Sequence, residues 1–160
     1  MNKAYLLIGG NMGNREDFLA AARKEIAAQA GKIVRRSSLY QTEAWGLEDQ
    51  EAFLNQALEI QTALSPQALL HTILSIETTL GRKRDVKYGP RLIDIDILLF
   101  ENKIVAEEGL TVPHPHMQHR RFVLVPLAEI APAEVHPILQ KTVAQLLDEC
   151  PDKLAVQKFR

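Results

Sequence analysis

One segment constrains what this chain can fold into more than any other: RLIDIDILLF, residues 91–100. It reads as an apolar strand with two carboxylates set two residues apart inside it. Successive strand side chains point to opposite faces, so Ile93, Ile95, Ile97 and Leu99 are expected on one side and Asp94, Asp96, Leu98 and Phe100 on the other. An ionised carboxylate held away from water is costly unless it is paired. One face of this strand can therefore pack under other elements, while the other has to meet water, cations or a ligand.

The rest of the chain supplies a matching frame. KAYLLIGG (3–10) reads as a buried strand, and Asn14 is placed to cap a helix in which Phe18, Leu19, Ala22 and Ile26 recur at helical spacing up to Gly31. A strand is expected over KIVRRSSLYQT (32–42). After the polar EAWGLEDQE (43–51), a half-buried strand is expected over FLNQALEIQT (53–62), with Leu54, Leu58 and Ile60 on one face and Phe53 and Asn55 on the other. Ser65 and Pro66 start a second helix, Gly81 stops it, and Leu69, Ile73, Ile76 and Leu80 form its apolar stripe.

The order strand, helix, strand, strand, helix, strand is the split βαβ pattern, in which two helices cover one face of an antiparallel sheet. The expected fold is therefore α+β with a ferredoxin-like βαββαβ core and an open face that collects Asp94, Asp96, Phe53 and Asn55. Residues 101–160 add a hairpin around ENKIVAEEG, a helix near RFVLVPLAEIA, a helix opened by a Thr142-x-x-Gln145 capping box, and a last strand in KLAVQKF. A single domain spanning 1–160 is expected.

Composition narrows the function classes. With 19 Lys and Arg against 20 Asp and Glu, the net charge of −1 supplies no global field for nucleic acid or an anionic membrane. Cys150 is the only cysteine, so no intrachain disulfide can form and a reducing, cytoplasmic setting is expected. No stretch of the sequence approaches the ~18 apolar residues of a membrane span.

Two carboxylates on one strand face have Cα atoms ~6.5 Å apart and can lean toward one cation or two adjacent ones. Magnesium suits them, because it is usually held by one or two carboxylates together with substrate phosphates. The ordinary alternative, a solvated sheet face, is weakened by the apolar Leu98 and Phe100 that continue it and by the cations that flank it. GRKRDVKYGPR places Arg82, Lys83, Arg84, Lys87 and Arg91 in a loop without hydrophobic periodicity, and arginine's planar fork matches phosphate oxygens. VPHPHMQHRRF (112–122) adds His114, His116, His119, Arg120 and Arg121. With no cysteine nearby and no helical spacing, these histidines are not a zinc signature and read better as a second cationic wall for phosphate. GGNMGN lacks the spacing of a dinucleotide motif and the lysine of a P-loop.

KYGPRLIDIDIL resembles the signature stretch of the 6-hydroxymethyl-7,8-dihydropterin pyrophosphokinase family of folate biosynthesis. LIGGNMGNRE, SSLYQTEAWG, FLNQAL, IETTLGRKR and VPHPHMQHRRFVLVPL resemble its other blocks in the same order, over nearly the whole chain. The resemblance implies an enzyme that binds ATP with Mg²⁺ and a reduced pterin, and transfers the β,γ-pyrophosphoryl unit to the pterin's hydroxymethyl oxygen, leaving AMP. It implies two Mg²⁺ ions on Asp94 and Asp96, catalytic roles for Arg82 and Arg91, and ATP contacts at Glu77, Arg84, Ile97, Thr111, His114 and Arg120. The pterin is implied between Phe53 and Phe122, with Gly9, Thr42, Trp45 and Asn55 around it. A monomer that binds neither nucleic acid nor membrane is expected.

Leu74 stands where many members carry glutamine, Tyr88 where tryptophan is common, Gly109 where some have arginine and Phe53 where some have tyrosine. Segments 43–52 and 82–91 are expected to order when ligands bind. Two other readings compete: another Mg-dependent nucleotide-using transferase on the same fold, and a noncatalytic ligand-binding module.

Overall fold

Strand β1 (Asn2–Gly10) lies at the centre of the sheet, antiparallel to both of its neighbours, β4 (Phe53–Thr62) and β5 (Asp94–Phe100). The computed structural model describes residues 1–42, 52–81 and 93–159. Helix α1 (Arg15–Gln29) follows β1, then β2 (Lys32–Arg36) and β3 (Tyr40–Thr42), and α2 (Pro66–Thr79) follows β4. Both helices start where their caps predict. The Asn14 side chain accepts from the Asp17 N–H, and Ser65 accepts from the Ala68 N–H ahead of Pro66. Gly81, at φ +91, follows the end of α2 in the left-handed region that glycine tolerates.

α1 and α2 cover one face of the sheet. Leu19, Ala22, Ile26, Leu69, Ile73 and Ile76 pack there with Leu6, Ile8, Leu54, Leu58, Ile60 and Ile95. Each fully buried aliphatic side chain contributes about 1.5–3 kcal/mol relative to exposure, so this layer is the main drive to fold. Across the described residues the sheet order is β5-β1-β4-β3-β8, with β2 also on β4 and β8 (Gln157–Lys158) on β3. With its helices this is the ferredoxin-like α+β fold.

The structure corrects the sequence reading at four places. The strand expected over 32–42 is two strands, because the ladder is interrupted at Ser37: its N–H still donates to the Ala57 carbonyl, but its hydroxyl rather than its carbonyl accepts the Ala57 N–H, and its carbonyl accepts the Gln56 side-chain amide. The second face of the sheet is not open along its length. Helices α3 (Arg121–Ile130) and α4 (Val143–Glu149) bury Leu124, Leu127 and Leu146 against Tyr5, Leu7 and Ala57, so β4 is buried on both sides over much of its length rather than half-buried.

The alternation along β5 also breaks. Leu6 pairs with Ile97 and Tyr5 with Leu99, so Leu98 is an extra residue in a bulge. Beyond it the faces exchange: Leu98 and Leu99 both join the second layer, and Phe100 packs with the first. The last strand is shorter than KLAVQKF, with only Gln157 and Lys158 paired to β3. The expected hairpin is present as β6 (Val105–Glu107) and β7 (Leu110–Val112), turning at Glu108 and Gly109, and the Thr142–Gln145 capping box opens α4.

Candidate active site

The register of the sheet brings the predicted residues into rows. Asp94 on β5 lies opposite Gly9 on β1, Gly9 opposite Asn55 on β4, and Asn55 opposite Tyr40 on β3. In the adjacent row Asp96 lies opposite Leu7, and Leu7 opposite Ala57. Thr42 pairs with Phe53 at the same end of the sheet. These residues belong to the face away from α1 and α2, where Leu7 and Ala57 pack in the layer that α3 covers and Tyr40 is tied to it through Glu129.

Gly9 makes a trough possible. Strands lie about 4.8 Å apart, so Asp94 and Asn55 stand two strand spacings apart with no side chain between them. The Asn55 carboxamide leans into that gap. A Cβ on Gly9 would run into Asn55 Oδ1 and come within 2.9 Å of the Leu54 carbonyl oxygen. Asp94 is half-buried and Asp96 exposed, while Asn55 and Thr42 are buried. Among the described residues no cluster of three His, Cys, Asp or Glu side chains could hold a metal ion. Two carboxylates on one strand face fit a cation whose remaining ligands are water and substrate oxygen, the usual situation of Mg²⁺.

The outer edge of β5 is held at two points. The Ile95 N–H, between the two aspartates, donates to Glu77 Oε2 at 2.7 Å, and Glu77 is only 3% exposed. A solvated helix glutamate is the ordinary expectation for this position, and burial against the strand replaces it. Further along, the His114 N–H donates to the Leu98 carbonyl at 3.0 Å, at the bulge. By the two-residue period of an antiparallel ladder, Ile97 presents its backbone N–H and C=O to the same edge, between these anchors. Thr111, exposed on β7, lies in the strand that packs beside β5.

His114 is prepared as a neutral donor. Its Nδ1 accepts the His116 N–H at 3.2 Å, which leaves the proton on Nε2. Burial, and then the charges of Arg120 and His116, push its pKa down to about 4. Arg120 lies 5.8 Å from the centre of the Phe122 ring, a cation–π distance. Phe122 packs partly against the second layer, which includes Leu7 and Leu98 from the strands that carry Gly9 and Asp96. Asp152 of the C-terminal segment accepts the Arg121 N–H and so caps α3 where Arg120 and Phe122 sit.

Arg82, Arg84, Arg91 and Trp45 lie outside the described residues, as do Tyr88 and the segments 43–51 and 82–92. Two features of this end of the sheet were not legible in the sequence. Tyr40, in the row of Asn55 and Asp94, donates to Glu129 at 2.6 Å, and Glu129 also accepts from the Ser38 N–H, tying β3 to α3. Asn11, just after β1, is a buried polar residue.

The family model described as 7,8-dihydro-6-hydroxymethylpterin-pyrophosphokinase (HPPK) matches residues 5–132. The chain belongs to that family. A relative from Methylorubrum extorquens, named 2-amino-4-hydroxy-6-hydroxymethyldihydropteridine pyrophosphokinase, is 50% identical over 133 residues, covering 82% of this chain and 84% of its own. One of the same name from Bacillus subtilis is 48% identical over 130 residues, covering 81% of this chain and 78% of its own. Among solved structures, Plasmodium falciparum HPPK-DHPS superposes with a TM-score of 0.74 at 19% identity, over 93% of this chain. This chain spans 43% of that longer one, and the likeness carries the fold alone. Membership in the HPPK family makes the chain a transferase of folate biosynthesis, a pyrophosphokinase. No described helix is long and apolar enough to cross a membrane.

Proposed function

We propose that the trough over Gly9 is where this pyrophosphokinase joins its two substrates, MgATP and 6-hydroxymethyl-7,8-dihydropterin. The observation that carries the reading is the row Asp94–Gly9–Asn55: two chemistries, cation ligands and an amide able to read a heterocycle's edge, face each other across a residue without a side chain. Asp94 and Asp96 would hold Mg²⁺, in two ions, against the phosphates. The bound metal supplies charge neutralisation on the phosphate oxygens.

The chain's own groups do the positioning. Asn55, with Gly9, Thr42 and Trp45, orients the pterin between Phe53 and Phe122, so that its hydroxymethyl oxygen points toward the aspartates. Ile97 offers its strand-edge backbone to the adenine, beside Thr111, while Glu77 secures that edge. The Nε2–H of His114 and the guanidiniums of Arg120 and Arg84 donate to phosphate oxygens, and Arg82 and Arg91 stabilise charge on the transferring group. The pterin hydroxyl attacks the β-phosphorus in line, its O–P bond forming as the bond to the AMP oxygen breaks and its proton leaving to solvent, and no protein nucleophile is required. The two hydrophobic layers share the central strands, which supports a single domain, and we read that domain as a monomer.

Incubation with ATP, Mg²⁺ and the hydroxymethyl pterin tests the reading by product. AMP and pterin diphosphate are expected in equal amounts. Release of inorganic pyrophosphate with a nucleotidylated acceptor would instead identify a nucleotidyl transferase. Asp96→Ala is expected to lower turnover by at least about 10³-fold, while its melting temperature stays near wild type because the side chain is exposed. Ordinary turnover in that variant would remove the metal assignment.

A further inference from the structure

At the opposite end of β4 from Asn55, a groove of about 470 Å³ opens between α1 and β2. Arg23, Lys24, Arg35 and Arg36 line it together with Ile33 and Val34. It is separate from the trough: β2 pairs with β4 from Leu58 to Gln61, whereas the trough begins at Asn55.

The charges in this groove are not balanced. On α1 the residues three and four positions from Arg23 and Lys24 are alanine, leucine and isoleucine, so no helical ion pair is available to either. Among the described residues no ion pair joins Arg23, Lys24 or Arg36 to a carboxylate. Arg35 is engaged elsewhere, with the Ile130 carbonyl at 2.9 Å and with Glu59 at 3.9 Å. Arg23 is held in place through Gln56, whose Oε1 accepts from its guanidinium at 2.8 Å and whose amide donates to the Ser37 carbonyl. Burial, and then the charge of Arg36, lower the pKa of Arg23. A fixed, half-buried guanidinium thus faces a second one without a carboxylate between them, an arrangement that an anion relieves.

We propose that the α1–β2 groove is a second anion site, which binds a short polyphosphate chain, free or as the tail of a nucleotide. Three uncompensated cations call for more charge than a monophosphate carries, and the forks of Arg23 and Arg36 suit adjacent phosphoryl groups. The volume lies in the range of small-ligand pockets, and Ile33 and Val34 give the groove an apolar wall against which a nucleoside can rest.

Backbone amide NMR on the whole chain in EDTA tests this, because it reads the groove and the trough separately. Titration with inorganic triphosphate is expected to give saturable shifts at Arg23, Lys24 and Ile33 to Arg36. Arg36→Glu is expected to weaken their midpoint at least about tenfold, and Lys24→Glu to weaken it in the same direction, should Arg36→Glu fail to fold. Adenosine triphosphate is run in parallel: an equal midpoint assigns the site to the free phosphate chain, a tighter one to a nucleotide. No saturable shift in these amides, equal shifts from sodium chloride at matched ionic strength, or a midpoint unmoved in both variants would each overturn the proposal.

Discussion

Glu77 on α2 accepts the backbone N–H of Ile95 on β5 at 2.7 Å, and Ile95 is the residue between Asp94 and Asp96. A helix of the first layer thus fixes the height and pitch of the strand that carries both acids. β5 is an edge strand, so without Glu77 this N–H has no ladder partner on that side. Glu77→Ala is expected to cost about 1–3 kcal/mol, the penalty of leaving a buried donor unmet, and to raise the magnesium concentration needed for half-maximal rate. Glu77→Gln keeps an acceptor oxygen and is expected to recover most of both. Urea unfolding and a magnesium titration of the rate check this, and wild-type behaviour of the alanine variant in both would show that the contact does not position the pair.

Gly9 is the place where the sheet accepts no side chain. An added Cβ would strike Asn55 Oδ1 and press on the Leu54 carbonyl at 2.9 Å, and the backbone contact cannot swing away as the amide can. Gly9→Ala is therefore expected to displace Asn55 and close the trough, raising KM for the pterin at least about tenfold with a smaller change in KM for ATP. Steady-state kinetics with each substrate varied in turn separates the two effects. An equal rise in both constants would point to a general distortion of β1 instead.

Much of this arrangement was legible from local rules. Caps and apolar spacing placed α1 and α2, and strand alternation put Asp94, Asp96, Phe53 and Asn55 on one face, as the register bears out. The misreadings arise where non-local contacts override the two-residue period. Nothing in DIDILLF announces that Leu98 bulges, because the bulge is set by its pairing with Tyr5 and Leu6. The split between β2 and β3 likewise depends on Ser37 meeting Ala57, twenty residues away. The contact of Glu77 with β5 was not legible, because its partner is a backbone N–H of a later strand, which carries no sequence signature.

Tyr40 and Glu129 tie β3 to α3 across the second layer. Burial alone would raise the pKa of Glu129, but hydrogen bonds from Tyr40 and Ser38 outweigh it and hold the carboxyl below its ordinary range. Burial, then the same carboxylate, raise the Tyr40 phenol to about 12, so it stays a proton donor throughout the working range. Tyr40→Phe removes the 2.6 Å bond and keeps the ring. A loss of about 1.5–3 kcal/mol is expected, the range for a hydrogen bond to a charged group, measured by urea unfolding at pH 7. Because Thr42 ends the same strand, the pterin KM is expected to rise as well, and a variant of wild-type stability would show that Ser38 alone anchors β3.

His114 gives the fold a defined response to acid. Burial, then the charges of Arg120 and His116, depress its pKa from 6.5 to about 4 in the native state. Between those two values the unfolded chain binds a proton that the folded chain does not, so stability falls as the pH drops from 6.5 toward 4 and this contribution levels off below. His136 is shifted in the same direction by burial, so removing His114 takes away only part of the slope. His114→Asn, whose amide oxygen can accept the His116 N–H in place of Nδ1, is expected to lose less stability than wild type between pH 7 and pH 5. Urea midpoints at the two pH values give the comparison. Equal losses in the two proteins would mean that His114 is protonated in the folded chain at pH 5, and the same result would withdraw its role as a neutral donor to the phosphates.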